Sequence, residues 1–223
     1  FGDAASEKSF SHLWLSEGFA TFMTNVYLES KYGADILEQR LNDDRKTVFG
    51  FEKQRFTPVV DTAVKDNYMQ LLNANSYQKG GWVLHMLRRK LGEEDFWKGI
   101  RNYYEKYDGG NANTGDLQAI MEAASGQDLK QFFKQWVYTP GHPHFSVKWK
   151  YDPAGKVVNF EIGQIQTELY DCTVECSING EIHQLVIKDK FATYQVTVRK
   201  EPTSVTFDQN VNTLAEFDVV KGN

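Results

Sequence analysis

Glu17 is an acidic residue in a helical segment that is apolar on most of its sides. Successive side chains of a helix turn by about 100°, which surrounds this carboxylate with Leu13, Thr21 and Thr24. A charge in such surroundings is costly unless it is paired, protonated or bound to a cation. The residues alone leave three interpretations open, with a structural salt bridge first, a metal-ligating or catalytic carboxylate second, and simple exposure third.

Tyr77 stands at the start of a second helical segment, which Ser76 can cap and which runs to about Leu91. A phenol is a neutral hydrogen-bond donor, so it can stabilise developing negative charge without competing for a metal. The alternative is a half-buried aromatic at a helix start. Gly80 and Gly81 follow, and each disfavours a helix by about 1 kcal/mol, which predicts that another structure packs closely there.

Other polar residues give weaker indications of chemistry. Lys79 could lie near the same site as Tyr77, but we expect a solvated lysine in the first turn of the helix. The chain contains no HxxxH pair, so the sequence predicts no pair of imidazole ligands on one helix. The five histidines are His12, His85, His142, His144 and His183.

Three segments form a pattern around Glu17 and Tyr77. They are Phe1-Gly2-Asp3, Leu13-Trp14-Leu15-Ser16-Glu17-Gly18-Phe19-Ala20 and Tyr77-Gln78-Lys79-Gly80. In their residue types and spacing they resemble the aminopeptidase N type of gluzincin zinc metallopeptidases. In that family a helix bearing HExxH precedes the FGD motif, a WLxEGFA segment follows it, and a Y-x-K-G segment comes later. The resemblance is dense over about the first 145 residues of the chain.

The resemblance implies roles for both residues. Glu17 would be the third ligand of a His-His-Glu zinc site, in which a fourth position stays open for water. Tyr77 would donate a hydrogen bond to the oxyanion of the tetrahedral intermediate. The intact protein would then remove amino-terminal residues from peptide substrates, with Zn²⁺ as its cofactor.

The same resemblance identifies what these 223 residues lack. HExxH supplies both imidazole ligands and the general base, and it is absent from this chain. We therefore expect a truncated catalytic domain that is inactive and binds no zinc tightly. Loss of the neighbouring helix would leave part of the face formed by Leu13, Thr21 and Thr24 uncovered, and self-association through it is a further expectation.

Two other functions fit the chain less well. One is a non-catalytic binding or scaffold protein with a decayed peptidase fold. A protein that had lost catalysis would not need to retain both Glu17 and Tyr77. The other is an enzyme like the leukotriene hydrolases, which share these motifs. Metal content would separate the scaffold from the enzymes.

The elements that must position these residues are mostly helical up to Trp136. Helical periodicity predicts helices over Ser11 to Lys31, Ser76 to Leu91, Glu93 to Tyr107, Thr114 to Ala124 and Leu129 to Tyr138. Pro140 and Pro143 end the helical pattern, so we place a domain boundary between Gly141 and His142. The sequence thus predicts residues 1–141 as the helical half of a thermolysin-like catalytic domain.

Residues 142–223 alternate between apolar and polar side chains, and we expect about seven strands there. Six of them are located by the pattern, at residues 145–151, 157–162, 173–178, 182–187, 194–198 and 204–207. Such a pattern without helices predicts a small immunoglobulin-like β-sandwich, so the fold class is α+β with two domains. Cys172 and Cys176 lie about 13 Å apart in a regular strand, which is beyond disulfide reach and predicts buried free thiols.

Charge and hydropathy exclude two classes of partner. The net charge is −5 and the basic residues are scattered, which excludes nucleic acid as a favoured partner. No apolar run approaches the roughly 20 residues needed to span a bilayer, so we expect no membrane span in this segment.

Overall fold

The computed structural model describes residues 4–222, which form two compact units. The first unit ends at Gly141 and the second begins at His142. Helices dominate the first unit and strands the second, which confirms the predicted α+β fold with a helical part before a small sheet domain. The Phe1-Gly2-Asp3 motif lies outside the described residues.

The first unit contains six α-helices among the described residues. They are α1 (Trp14–Tyr32), α2 (Ala34–Glu52), α3 (Gly80–Leu91), α4 (Glu93–Tyr107), α5 (Thr114–Ser125) and α6 (Lys130–Phe133). Two short strands, β1 (Ala5–Glu7) and β2 (Gly110–Ala112), pair in parallel. Single 3₁₀ turns form at Phe10–His12 and Tyr68–Leu71, and single π-helical turns at Asn75–Lys79 and Lys134–Tyr138. None of the helices described is both long and apolar enough to cross a membrane.

The sequence predicted most of these helices but missed α2. The bounds of α4 are those predicted, whereas α1 begins later than predicted because Phe10–His12 forms a 3₁₀ turn. In α2, Leu37, Leu41 and Val48 are buried at helical spacing. That spacing is the signal from which α2 could have been predicted.

The predicted capping role of Ser76 is wrong. Residues Asn75–Lys79 form a π-helical turn, and the backbone reaches α3 only at Gly80. The Ser76 hydroxyl donates instead to the carbonyl oxygen of Leu71, at 2.6 Å.

The face of α1 around Glu17 is partly covered and partly exposed. Leu13 is buried, and Thr21 is half-buried because Gly81 of α3 packs against it. Thr24 is exposed, and its hydroxyl donates to the carbonyl oxygen of Ala20 on the same helix. Packing by α3 therefore covers one part of this face and leaves Thr24 exposed.

The second unit is built from strands, seven of them within its described residues. They are β3 (His144–Asp152), β4 (Val157–Gln164), β5 (Cys172–Ile178), β6 (Glu181–Ile187), β7 (Phe191–Thr197), β8 (Val205–Phe207) and β9 (Glu216–Lys221). One sheet has the order β7-β4-β3-β9 and the other β6-β5-β8. In this unit β9 pairs with β3 in parallel, while the other pairs are antiparallel.

Aromatic rings join the two sheets into a sandwich. The Phe207 ring of β8 meets the Phe160 ring of β4 edge-on, with centroids 6.0 Å apart. The same Phe207 ring stacks on Phe217 of β9, at 5.5 Å. Because β8 belongs to one sheet and β4 and β9 to the other, these contacts form part of the core between the sheets.

The remaining sequence candidates in this unit have structural roles. Cys172 and Cys176 are buried free thiols on β5, as predicted, and burial raises the pKa of both, to about 12 for Cys176. His142 and His144 do not converge on one point. The His142 ring lies 2.9 Å from a carboxylate oxygen of Glu216, and the His144 ring lies against a different carboxylate of β9.

Candidate active site

Glu17 lies in the first turn of α1, where its backbone is held in place but its carboxylate has no cationic partner among the described residues. Its amide donates to the carbonyl oxygen of Leu13, at 3.1 Å, and its own carbonyl oxygen accepts a bond from the Thr21 hydroxyl, at 2.9 Å. Within residues 4–222, no cation lies within ion-pair distance of the carboxylate. The structure thus provides no support for the interpretation of Glu17 as half of a structural salt bridge.

The start of α1 is also tied to the short parallel sheet. The hydroxyl of Ser16 donates to a carboxylate oxygen of Glu7 in β1, at 2.6 Å. Trp14 donates from its indole to the hydroxyl of Thr114, at 2.9 Å, and that hydroxyl lies 2.8 Å from the His12 ring. Contacts on both sides therefore fix the position of the helical turn that carries Glu17.

Tyr77 lies on the π-helical turn, and its hydroxyl is close enough to the Glu17 carboxylate for the two groups to interact. Burial raises the pKa of this phenol most, and the neighbouring Glu17 carboxylate raises it further. The phenol is therefore protonated at neutral pH and remains a donor. The structure brings together the two residues that the sequence selected, although they are separated by 60 positions.

Glycines make this meeting possible. A Cβ atom on Gly18 would lie 2.9 Å from the Cα atom of Gly80, and one on Gly81 would lie 2.9 Å from the Cγ2 atom of Thr21. The close packing predicted from the two consecutive glycines is confirmed. Since Gly18 follows Glu17 directly, this crossing of backbones brings α1 against the end of the turn that bears Tyr77.

The predicted solvation of Lys79 is wrong. Its side chain is fully buried, and its ammonium group lies 2.7 Å from a carboxylate oxygen of Glu52. It also donates to the carbonyl oxygen of Gly141, at 2.6 Å. The sequence could not predict this environment because Glu52 belongs to α2, the helix that was missed.

A zinc ion in a catalytic site typically has three protein ligands. The part of the chain that the structure describes contains no group of three or more His, Cys, Asp or Glu side chains placed to hold a metal. Glu17 has the chemistry of one oxygen ligand, but these residues do not by themselves fit a complete zinc site.

Comparison with known proteins assigns the family. Residues 1–136 match the Peptidase family M1 domain. This match covers more than half of the 223 residues, and the chain belongs to that family. The resemblance to the aminopeptidase N type of metallopeptidase is thereby confirmed.

Several aminopeptidases are similar to the chain. Alanine/arginine aminopeptidase of Saccharomyces cerevisiae is 35% identical over 152 residues, which are 66% of this chain and 18% of that protein. Leucyl aminopeptidase of Saccharolobus solfataricus is 25% identical over 223 residues, or 96% of this chain and 26% of that protein. Both similarities thus span about a quarter or less of the relative's length.

A solved structure shares the fold. The crystal structure of Legionella pneumophila aminopeptidase A in complex with aspartic acid matches with a TM-score of 0.82. The match covers 97% of this chain and 25% of that one, at 19% sequence identity. At this level of identity the likeness concerns the fold.

Proposed function

We propose that this chain is part of a zinc-dependent aminopeptidase, which hydrolyses amino-terminal residues from peptides. In this proposal Glu17 is a zinc ligand and Tyr77 is the donor to the oxyanion. The observation that carries it is the placement of the Tyr77 hydroxyl beside the Glu17 carboxylate, in a chain of the M1 peptidase family. The aminopeptidase names of its relatives agree with it.

The chemistry of Tyr77 suits this role. Hydrolysis of a peptide bond places negative charge on the former carbonyl oxygen, and a preorganised neutral donor stabilises that charge. A phenol ordinarily ionises only near pH 10, so Tyr77 carries a proton to donate at neutral pH. Loss of one such donor lowers the rate by about 10²–10³.

The chemistry of Glu17 suits a metal ligand. Its carboxylate has no cationic partner within residues 4–222, so a bound Zn²⁺ would supply the missing positive charge. The two imidazoles and the general base must come from outside these 223 residues. This chain alone is then an inactive fragment that retains no stoichiometric zinc.

A scaffold protein with a decayed peptidase fold would not need the contact between Glu17 and Tyr77. The proposal is tested by zinc analysis of the full-length protein that contains this chain, together with hydrolysis of an aminoacyl anilide. We expect about one zinc per chain and turnover of the anilide. Full-length protein without zinc and without turnover would instead be the scaffold.

Two variants sharpen this test. Glu17→Gln should lose both zinc and activity, because a neutral amide is a poor replacement for a carboxylate ligand. Tyr32→Phe is the matched control for a change in α1, since Tyr32 is 60% exposed and its ring is kept. It should retain wild-type zinc content and rate.

A further inference from the structure

The ammonium group of Lys79 is held by two partners from separate parts of the helical unit. Glu52 comes from the last turn of α2 and is itself buried, with 6% of its surface exposed. Gly141 supplies a backbone carbonyl from the end of the unit. Lys79 thereby links the π-helical turn to two distant segments of chain.

Stability alone is a poor explanation for this buried pair. Removing two charges from water is costly, and hydrophobic replacements of a buried ion pair are often neutral or stabilising. What such a pair does supply is a defined position, because its short bonds form in one arrangement only. The position defined here is that of the turn that carries Tyr77.

The other end of the same turn is also bonded to the backbone around it. The side-chain amide of Asn75 donates to the carbonyl oxygens of Thr57, at 2.8 Å, and Pro58, at 3.3 Å. Ser76 donates to the carbonyl oxygen of Leu71. Both side chains are almost completely buried. The turn is thus held at its start by neutral bonds and at its end by the charged pair.

The π-helical form of the turn explains why these bonds matter for the orientation of Tyr77. The amide of Lys79 donates to the carbonyl oxygen of Ala74, at 2.8 Å, which is the wide spacing of a π-helix. Such turns are rare and occur frequently at functional sites. Rewinding to an α-helix would rotate the preceding residues by about 100° relative to α3. Tyr77 would then turn away from Glu17.

We propose that Lys79 is a positioning residue, which acts with Glu52 to keep the π-helical turn in the form that aims Tyr77 at Glu17. Lys79 itself does not touch substrate in this account. The inference deepens the proposed function and rests on it for its kinetic consequence. Its structural consequence, the orientation of Tyr77, can be measured in this chain independently of activity.

The structural test uses the double variant Lys79→Met/Glu52→Leu in the 223-residue chain. Replacing both charges with apolar groups of similar size avoids leaving one charge buried alone, so the fold should survive. Tyrosine ring carbons are labelled for NMR, and Tyr77→Phe assigns the Tyr77 signal. We expect the double variant to shift or split that signal and to lose the Tyr77 ring's nuclear Overhauser contacts with α1.

Two further variants distinguish a specific effect on the position of Tyr77 from a general loss of structure in the helical unit. Glu52→Gln keeps an acceptor for the ammonium group but leaves the Lys79 charge uncompensated, so it should lower stability while the folded protein retains the wild-type Tyr77 signal. Arg88→Met removes ion pairs with Glu29 and Glu93 elsewhere in the unit, and it should also leave that signal unchanged. A folded double variant with an unaltered Tyr77 signal and unaltered contacts would overturn the inference.

The kinetic test uses the full-length protein. The double variant should lower kcat by up to the 10²–10³ expected from loss of the Tyr77 donor, with KM and zinc content unchanged. Combining it with Tyr77→Phe should add no further loss, because both changes remove the donation from the Tyr77 hydroxyl to the oxyanion. Full additivity of the two losses would contradict positioning through Tyr77. If the wild-type protein has neither zinc nor turnover, the proposed function fails while the NMR result still decides the inference.

Discussion

Gly18 of α1 and Gly80 of α3 pack backbone against backbone, so closely that a Cβ atom on either would lie 2.9 Å from the Cα atom of the other. Real Cβ atoms do not approach a backbone this closely without displacing it. The crossing lies one residue after Glu17 and three residues after Tyr77. Because Gly18 and Gly80 carry no side chains, the two helices approach closely enough for Glu17 and Tyr77 to meet.

Gly18→Ala should destabilise the chain because the added methyl group forces the two helices apart. Overpacking of this kind costs about 1–3 kcal/mol, which exceeds the roughly 1 kcal/mol that alanine gains over glycine inside a helix. The free energy of unfolding in urea measures the difference.

Gly50→Ala is the matched control for that change. Gly50 lies in α2, and a Cβ atom built there would meet nothing within 4 Å. The free energy of unfolding of this variant should increase by up to about 1 kcal/mol. Equal changes of the same sign in both variants would contradict the packing argument.

Asn113→Ala should weaken the start of α5. The Asn113 side chain accepts a bond from the amide of Asp116, at 3.0 Å, and the Asp116 carboxylate accepts one from the amide of Asn113, at 2.9 Å. Loss of such a capping box costs about 1 kcal/mol of folding free energy. Asn113→Ser, which retains a capping oxygen, should cost much less by the same urea measurement.

Alkaline pH should destabilise the sheet unit through its two buried thiols. Because the fold raises the pKa of Cys172 and Cys176, their contribution is complete below the unfolded pKa and is lost as the pH rises above it. Thiols of the unfolded chain ionise near pH 8.5. Each thiol should therefore lower the free energy of unfolding by about 2 kcal/mol between pH 8 and pH 10.

The double variant Cys172→Ala/Cys176→Ala isolates this effect. It should be less stable at pH 8, because two buried groups are truncated, but its stability should fall less steeply between pH 8 and pH 10. Urea unfolding of both proteins at the two pH values gives the slopes. Parallel slopes would show that the thiols do not titrate on unfolding.

The sequence predicted those parts of the fold that depend on local pattern. Amphipathic spacing predicted the bounds of α4, and alternation predicted six of the strands in the second unit. The parallel strand β9 was not located, because its pairing with β3 joins segments far apart in the chain. The prediction that Glu17 and Tyr77 share a site came from the family resemblance, since helical periodicity relates only residues of one helix.

The environment of Lys79 illustrates what local reasoning lacks. A lysine in the first turn of a helix is ordinarily solvated. Its partners Glu52, which is 27 positions away, and Gly141 reverse that expectation. The π-helical turn is similarly unpredictable from residue types. It depends on bonds that Asn75 and Ser76 make to backbone carbonyls outside the turn.

The rate of the full-length protein with Tyr77→Phe is the decisive measurement for the role of Tyr77 as oxyanion donor. The change removes the hydroxyl that lies beside Glu17 and keeps the ring, so zinc content should stay at the wild-type level. If Tyr77 is the oxyanion donor, kcat for an aminoacyl anilide should fall by about 10²–10³ with zinc retained. An unchanged kcat in a zinc-loaded variant would contradict it.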